Sequence, residues 1–103
     1  MNIHIEKARA DDWDAIIAVL KKWNMHHIPS PEMEEFDLDS CFVARYNDKV
    51  IGVSGYKMLS ETEGKTTLLA IYPEFQGFGI GKQLQEKRLE AMYFQGAKTV
   101  TTN

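Results

Sequence analysis

The amino-acid sequence predicts an α/β domain built around one mixed β-sheet. Alternating apolar and polar residues near the N-terminus predict a strand with one buried face, and two β-rich runs flanking a turn sequence predict an antiparallel hairpin. Near the C-terminus a strand, a glycine-rich turn, a helix and another strand follow in order, which predicts two parallel strands joined by a right-handed crossover. A sheet that contains both units is mixed and mostly antiparallel.

The size and charge of the chain limit its function. It has 103 residues, 44% of them hydrophobic, and a net charge of −3 from 12 Lys and Arg against 15 Asp and Glu. A chain of this length folds around one core, so we expect residues 1–103 to form a single domain that ends in the presumed fifth strand. The mildly acidic balance argues against nucleic-acid binding, which needs a basic surface.

The sequence shows no disulfide pair, membrane span or signal peptide, and this predicts its cellular location. The single cysteine, Cys41, cannot form an internal disulfide and fits a reducing compartment. No apolar run reaches the roughly 18 residues of a membrane span, and the first residues lack signal-peptide character. We therefore expect a soluble, cytoplasmic protein.

The first part of the chain predicts a strand and a helix. Residues 3–9 alternate apolar and polar side chains. Asp11 is suited to cap a helix that ends near Asn24. Residues 25–39, which contain two prolines and several acidic residues, are expected to form a loop or a short helix. The apolar face of the helix is expected to consist of Trp13, Ile16, Ile17 and Leu20.

The middle of the chain predicts a hairpin. Residues 41–46 and 50–59 are rich in β-formers, and the turn residues between them tolerate positive φ angles. Gly52 and Gly55 weaken the second strand, so a bulge or a close approach by another group is expected there. The apolar run at residues 66–71 predicts a strand buried on both faces, at the centre of the sheet.

The remaining elements follow a glycine-rich segment. A helical pattern extends to about Gln95, Gly96 is placed as its C-terminal cap, and residues 98–102 begin another strand.

The glycines at positions 77, 79 and 81 predict an anion site. They lie where a strand becomes a helix, so backbone N–H groups and the helix dipole point the same way. Three alternating glycines also exceed what a simple turn needs. The segment does not match a Walker A loop, since Gln83 stands where Ser or Thr is required. A dinucleotide-binding fingerprint also fails, because it lacks the third glycine.

Residues 76–81, Gln-Gly-Phe-Gly-Ile-Gly, resemble the Q/R-x-x-G-x-G/A motif of the GNAT family of N-acetyltransferases. The strand and the Pro73 segment before the motif, and the order of elements along nearly the whole chain, are similar to that family too. The resemblance implies an acyl-CoA N-acyltransferase-like fold, with acetyl-CoA as the cosubstrate.

The resemblance also implies where acetyl-CoA lies. Its pyrophosphate would contact the amides of the glycine turn, and its pantetheine arm would pair with the preceding strand. The amide of Ile71 would polarise the thioester carbonyl while a primary amine of a small molecule or a peptide attacks it directly. The implied cofactor-binding residues are Leu69, Ala70, Ile71, Gln76, Gly77, Phe78, Gly79, Ile80, Gly81 and Lys82.

The chain also departs from the family. Gln85 and Arg88 lie on the helix where relatives tend to have apolar residues, so looser packing is expected there. Family members usually have about 150 residues, and the segment after the fifth strand holds the tyrosine that commonly acts as the general acid. We therefore expect a fragment, a domain completed by a partner or a second copy, or a binding remnant without catalysis. An open strand edge favours a homodimer. A non-catalytic CoA-binding or dimerisation module remains the alternative function.

Several side chains keep two interpretations. Lys82 either contacts a phosphate or is solvated. Glu32, Glu34 and Glu35 lie where family members often line an amine pocket, but solvated loop charge is the favoured interpretation for each. His26 and His27 lack metal-ligand spacing, so no metal site is expected. The catalytic acid and base remain unassigned, and core or interface positions are expected for Trp13, Trp23, Tyr93, Phe94 and Cys41.

Overall fold

The computed structural model describes residues 2–23 and 37–102, which form five strands and two α-helices. Short 3-10 turns precede the first helix, the second strand and the glycine segment. In chain order the elements are β1 (His4–Lys7), α1 (Trp13–Lys21), β2 (Cys41–Tyr46), β3 (Lys49–Met58), β4 (Glu63–Ile71), α2 (Ile80–Phe94) and β5 (Thr99–Thr101).

The sheet is mixed, as the sequence predicted. Its strands lie in the order β1-β2-β3-β4-β5. All neighbours are antiparallel except β4 and β5, which pair in parallel at residues 63–65 and 99–101. The predicted hairpin turn is confirmed, because Asn47 and Asp48 both have positive φ angles.

The core is divided between the two faces of the sheet. Val43 and Ala44 are consecutive in β2 and therefore point to opposite faces. Val43 packs with residues of α1, and Ala44 packs with residues of α2, so each helix covers one face. The α1 face buries Ile16, Val19, Leu20, Val53, Leu68 and Ala70, and the α2 face buries Ile51, Ile80 and Leu84. Burial of each of these Val, Leu and Ile side chains contributes about 1.5–3 kcal/mol to stability.

The prediction that β4 is the central strand was wrong. β3 lies at the centre and is almost continuously buried, whereas β4 alternates, with Leu69 40% exposed. The reason is topological. The antiparallel strands follow one another along the sheet, and β4 has only the three-residue β5 on its outer side.

Trp13 does not belong to the buried face of α1, contrary to the prediction. It is 45% exposed, while Asp12 just before it is buried. Asp12, Ile16 and Leu20 follow the four-residue spacing of one helical face. Asp12 continues the buried stripe because it has a buried cationic partner, described below.

The expectation of loose packing at Gln85 and Arg88 was also wrong. Arg88 is only 6% exposed, and its Nε donates to Gln85 Oε1 at 2.6 Å. Its Nη1 donates to the carbonyls of Leu68 and Gly55 at 2.8 and 3.1 Å. A polar side chain satisfied by three hydrogen bonds therefore occupies the position where an apolar residue was expected.

A buried ion pair joins the start of α1 to the sheet. Arg45 in β2 is paired with Asp12 and with Glu6 in β1. The backbone N–H of Arg9 also donates to Asp12 Oδ2 at 2.7 Å. Burial raises the pKa of Asp12, but the hydrogen bonds from Arg45 and Arg9 outweigh it, so the pKa lies below the ordinary 3.8. The hydrogen bond from Arg45 lowers the pKa of Glu6 below 4.5.

We predict that acid destabilises the fold through this cluster. Both carboxylates bind protons less readily in the folded state, so their stabilisation is complete above the unfolded pKa values and is lost as the pH falls through the folded ones. The free energy of unfolding in urea should therefore decrease between about pH 5 and pH 2. Arg45→Met should flatten or reverse this dependence, while Lys57→Met, a change at an exposed side chain of β3 outside the cluster, should retain it. Equal pH slopes in wild type and Arg45→Met would contradict the assignment.

Candidate functional site

The glycine segment connects β4 to α2 through a tight turn. After the 3-10 turn at Pro73–Phe75, Gly77 and Gly79 adopt φ angles of +86° and +77°. Such angles disfavour any residue with a Cβ atom. The conformation of the turn therefore accounts for two of the three glycines. The presence of three glycines is for this reason weaker evidence of a ligand site than the sequence analysis suggested.

Gly81 has a different role, since it lies in the first turn of α2 without a positive φ angle. A Cβ atom there would come within 3.3 Å of Ile71 Cδ1. Gly81 therefore lets the start of α2 lie directly against the end of β4. This contact joins the two segments that the sequence assigned to the site.

The first amides of α2 are available to a ligand. The first backbone hydrogen bond of this helix runs from the N–H of Gln83 to the carbonyl of Gly79 at 3.2 Å. The N–H groups of Ile80, Gly81 and Lys82 precede it and have no acceptor within the helix. No side chain from the described part of the chain caps this end. The positive end of the helix dipole adds to their attraction for an anion.

The end of β4 presents backbone groups on its outer edge. The N–H of Tyr72 donates to Ile51 in β3 at 2.9 Å, so the N–H and C=O groups of alternate residues, Tyr72, Ala70 and Leu68, face β3. Those of Leu69 and Ile71 consequently face away from β3. Because β5 pairs with β4 only at residues 63–65, it does not cover this edge at Leu69 and Ile71.

A cavity of about 420 Å³ lies at this edge. Leu69, Ala70 and Ile71 line it together with Gln76, so the structure brings these four predicted residues together. The Ala70 side chain is buried in the α1 core, and its N–H and C=O groups face β3. Gly77, Phe78, Gly79, Ile80, Gly81 and Lys82 lie in the adjoining turn and first helical turn.

Trp23 also lines the cavity, although the sequence placed it in the core or at an interface. Its Nε1 donates to the carbonyl of Ile71 at 2.9 Å, and its side chain is 42% exposed. This bond confirms that the Ile71 carbonyl points away from β3. The local sequence gave no signal for the contact, because the two residues are 48 positions apart.

The described lining carries no acid or base. Trp23, Gln76 and the β4 residues have no titratable side chains. The acidic residues Glu32, Glu34 and Glu35 and the histidines His26 and His27 lie outside the described residues. The residues that the structure describes include no group of three or more His, Cys, Asp or Glu that could bind a metal ion. They also include no helix with the length and apolar character needed to cross a membrane.

Cys41 is a core residue, as the sequence predicted. Burial raises the pKa of its thiol to about 12, with a smaller contribution from the charge of Asp37. The thiol donates to the carbonyl of Asp37 at 3.2 Å. It is protonated at neutral pH and is therefore a poor nucleophile.

Comparison with known proteins identifies the family. Residues 5–103 match the model of the acetyltransferase (GNAT) family, and the chain belongs to this family. This confirms the resemblance that the glycine motif carried. A search of curated proteins found no match.

Solved structures show the same fold. N-acetylglutamate synthase from Neisseria gonorrhoeae, complexed with coenzyme A and N-acetyl-glutamate, superposes with a TM-score of 0.81 at 19% identity over 99% of this chain. Rv2747 from Mycobacterium tuberculosis, also complexed with coenzyme A, gives 0.79 at 21% identity over 96%. The ribosomal-protein-alanine N-acetyltransferase from Brucella melitensis gives 0.78 at 16% identity over 99%. The chain spans 25%, 63% and 79% of these proteins, respectively.

We predict that Gly79 is required for the stability of the turn. Gly79→Ala places a Cβ atom on left-handed backbone and should lower the free energy of unfolding by about 1–2 kcal/mol. Gly79→Asn should lower it less, because asparagine tolerates this conformation. Urea unfolding of the three proteins measures both effects. Equal losses for alanine and asparagine would show that backbone conformation is not the cause.

Proposed function

We propose that this domain binds acetyl-CoA at the cavity and glycine turn and transfers the acetyl group to a primary amine. The observation that carries the proposal is the junction of two sets of backbone groups that the hydrogen bonds of the helix and of the sheet do not use. The first amides of α2 and the outer edge of β4 meet where Gly81 contacts Ile71. One set suits a diphosphate and the other an extended amide chain, and coenzyme A contains both.

The diphosphate would bind at the start of α2. The amides of Ile80, Gly81 and Lys82 converge there with the helix dipole, and Gly77 and Gly79 keep the approach free of side chains. A Cβ atom at either glycine would have no described atom within 4 Å. Lys82 is exposed in the first helical turn, where a bound phosphate would offset its unfavourable interaction with the dipole.

The pantetheine arm would lie along the outer edge of β4 in the manner of an added strand. The backbone groups of Leu69 and Ile71 face this edge and the cavity. The N–H of Ile71 would then donate to the thioester oxygen, where negative charge develops during the reaction.

The reaction would be direct transfer. The amine nitrogen forms a bond to the carbonyl carbon, the carbon–sulfur bond breaks, and coenzyme A leaves as a thiolate. The attacking ammonium must first lose a proton to a base. Once the new bond has formed, the nitrogen loses a second proton, and the thiolate takes up a proton from an acid or from water. The contribution proposed for the described residues is binding, orientation and stabilisation of the oxyanion.

The second candidate is a non-catalytic CoA-binding or dimerisation module. It is favoured by the cavity lining, which holds no titratable side chain in the described part of the chain. In this case the outer edge of β5 would pair with a second copy of the chain to give a homodimer.

We predict that calorimetric titration detects coenzyme A binding and that Gly81→Leu weakens it at least about tenfold, since the added side chain would separate α2 from Ile71. Gln83→Leu is the matched control, because it places the same side chain at an exposed position two residues further along the helix. Unchanged affinity in Gly81→Leu, or no binding by the wild-type protein at millimolar coenzyme A, would refute the proposed site.

Acetyl transfer distinguishes the two functions. An acetyltransferase should release the thiol of coenzyme A from acetyl-CoA when amines are added, and mass spectrometry should detect the acetylated amine. A binding module should bind coenzyme A with no amine-dependent release of thiol.

A further inference from the structure

β4 contains a bulge that decides which backbone groups face the cavity. Ser54 pairs with Leu69 and Tyr56 pairs with Thr66, so the single residue Gly55 lies opposite two residues of β4, Thr67 and Leu68. An inserted residue bends the strand and disrupts the regular ladder of hydrogen bonds.

The bulge reverses the hydrogen-bonding direction along the strand. Glu63 accepts from Leu59 of the β3 side at 2.8 Å, and Tyr72 donates to Ile51 of β3 at 2.9 Å. The two residues are separated by an odd number of positions, so in a regular strand they would face opposite edges. Only the extra residue lets both face β3, and it thereby turns Leu69 and Ile71 to the outer edge.

The side chains show the same reversal. A Cβ atom at Gly64 would meet Met92 of α2, which places position 64 on the α2 face. Leu68 and Ala70 instead pack in the α1 core, while Ile71 packs with Ile80 of α2. Even-numbered positions therefore change faces across the bulge.

The Arg88 guanidinium lies at this bulge. Its Nη1 donates to the carbonyls of Gly55 and Leu68, the residues that face each other across the irregular step. Its Nε is held by Gln85 from the preceding helical turn. The described residues provide no carboxylate partner for it, unlike Arg45.

Burying the charged guanidinium of Arg88 carries a desolvation penalty. Burial lowers the pKa of Arg88 to about 10, so it remains a cation at neutral pH. An apolar residue of similar volume would avoid the desolvation penalty. Arginine, however, has a planar set of N–H donors that can bind both carbonyls. The hydrogen bond to Gln85 fixes the orientation of the guanidinium.

We propose that Arg88 is a positioning residue that holds the β4 bulge and so directs the backbone groups of Leu69 and Ile71 toward the cofactor. This inference rests on the proposed binding of coenzyme A at that edge. Arg88 would act through Leu68 and the strand, without touching the ligand.

The test compares two probes in calorimetric titrations. Coenzyme A engages both the glycine turn and β4, whereas adenosine 3′-phosphate 5′-diphosphate carries the diphosphate but has no pantetheine arm. Arg88→Met should weaken coenzyme A binding roughly tenfold, as expected when main-chain hydrogen bonds to the arm are misaligned. It should leave the affinity for the nucleotide unchanged. Lys87→Met, which removes an exposed charge from the same helix, should change neither affinity.

Two results in the variant would overturn the proposal. Unchanged coenzyme A affinity would show that the bulge does not need Arg88, and an equal loss for both probes would show a general effect on the fold. If the wild-type protein binds neither probe, the proposed function fails instead.

Amide hydrogen exchange tests the bulge without a ligand. In Arg88→Met the Tyr72 amide should exchange roughly tenfold faster, corresponding to about 1.4 kcal/mol, while the Leu59 amide on the other side of the bulge should not change. If the methionine variant does not fold, the same exchange measurement is made on Arg88→Lys. This variant retains the cation but loses the planar set of donors, so the same increase at Tyr72 is expected. Exchange at Tyr72 equal to that of the wild type would overturn the proposal in either variant.

Discussion

Each residue of a β-strand directs its N–H and C=O groups to one edge of the strand, and this constraint decides what the end of β4 can do. The N–H and C=O groups of β4 that face β3 are hydrogen-bonded within the sheet. A ligand can therefore bind only to the backbone groups on the opposite edge of β4. The bulge opposite Gly55 assigns Leu69 and Ile71 to that edge. The cavity, the contact from Trp23 and the proposed path of the pantetheine arm all depend on this assignment.

Two buried arginines illustrate different solutions to burying a charge. Arg45 is paired with carboxylates and joins β1, β2 and the start of α1. Arg88 is satisfied by backbone carbonyls and by Gln85, at the irregular step between β3 and β4. The Arg45 bonds link side chains of different elements, whereas the Arg88 bonds reach main-chain carbonyls at the irregular step between two strands. The proposed role of Arg88 follows from that difference.

Much of the fold was predictable from local patterns. The hairpin, the glycine turn and the parallel strands around α2 were each indicated by a short segment whose chemistry allows few alternatives. The errors occurred where neighbours distant in sequence determine burial. An apolar run looked like a central strand, yet β4 has only the short β5 beside it. Arg88 looked like a packing defect, because its acceptors belong to β3 and β4.

The sequence alone determined the conformations of the turns and the start of α2 with its unpaired amides. It also predicted that residues 69–71 and 76–82, which are close in the chain, belong to the same site. These features depend on φ preferences and hydrogen bonds within a few residues. The tertiary structure decided the strand order, the placement of the bulge's extra residue in β4, and the contact between Trp23 and Ile71. The physical reason is that these features join backbone and side-chain groups 20 to 48 positions apart. The conformational preferences of a short segment do not determine which distant group completes a hydrogen bond.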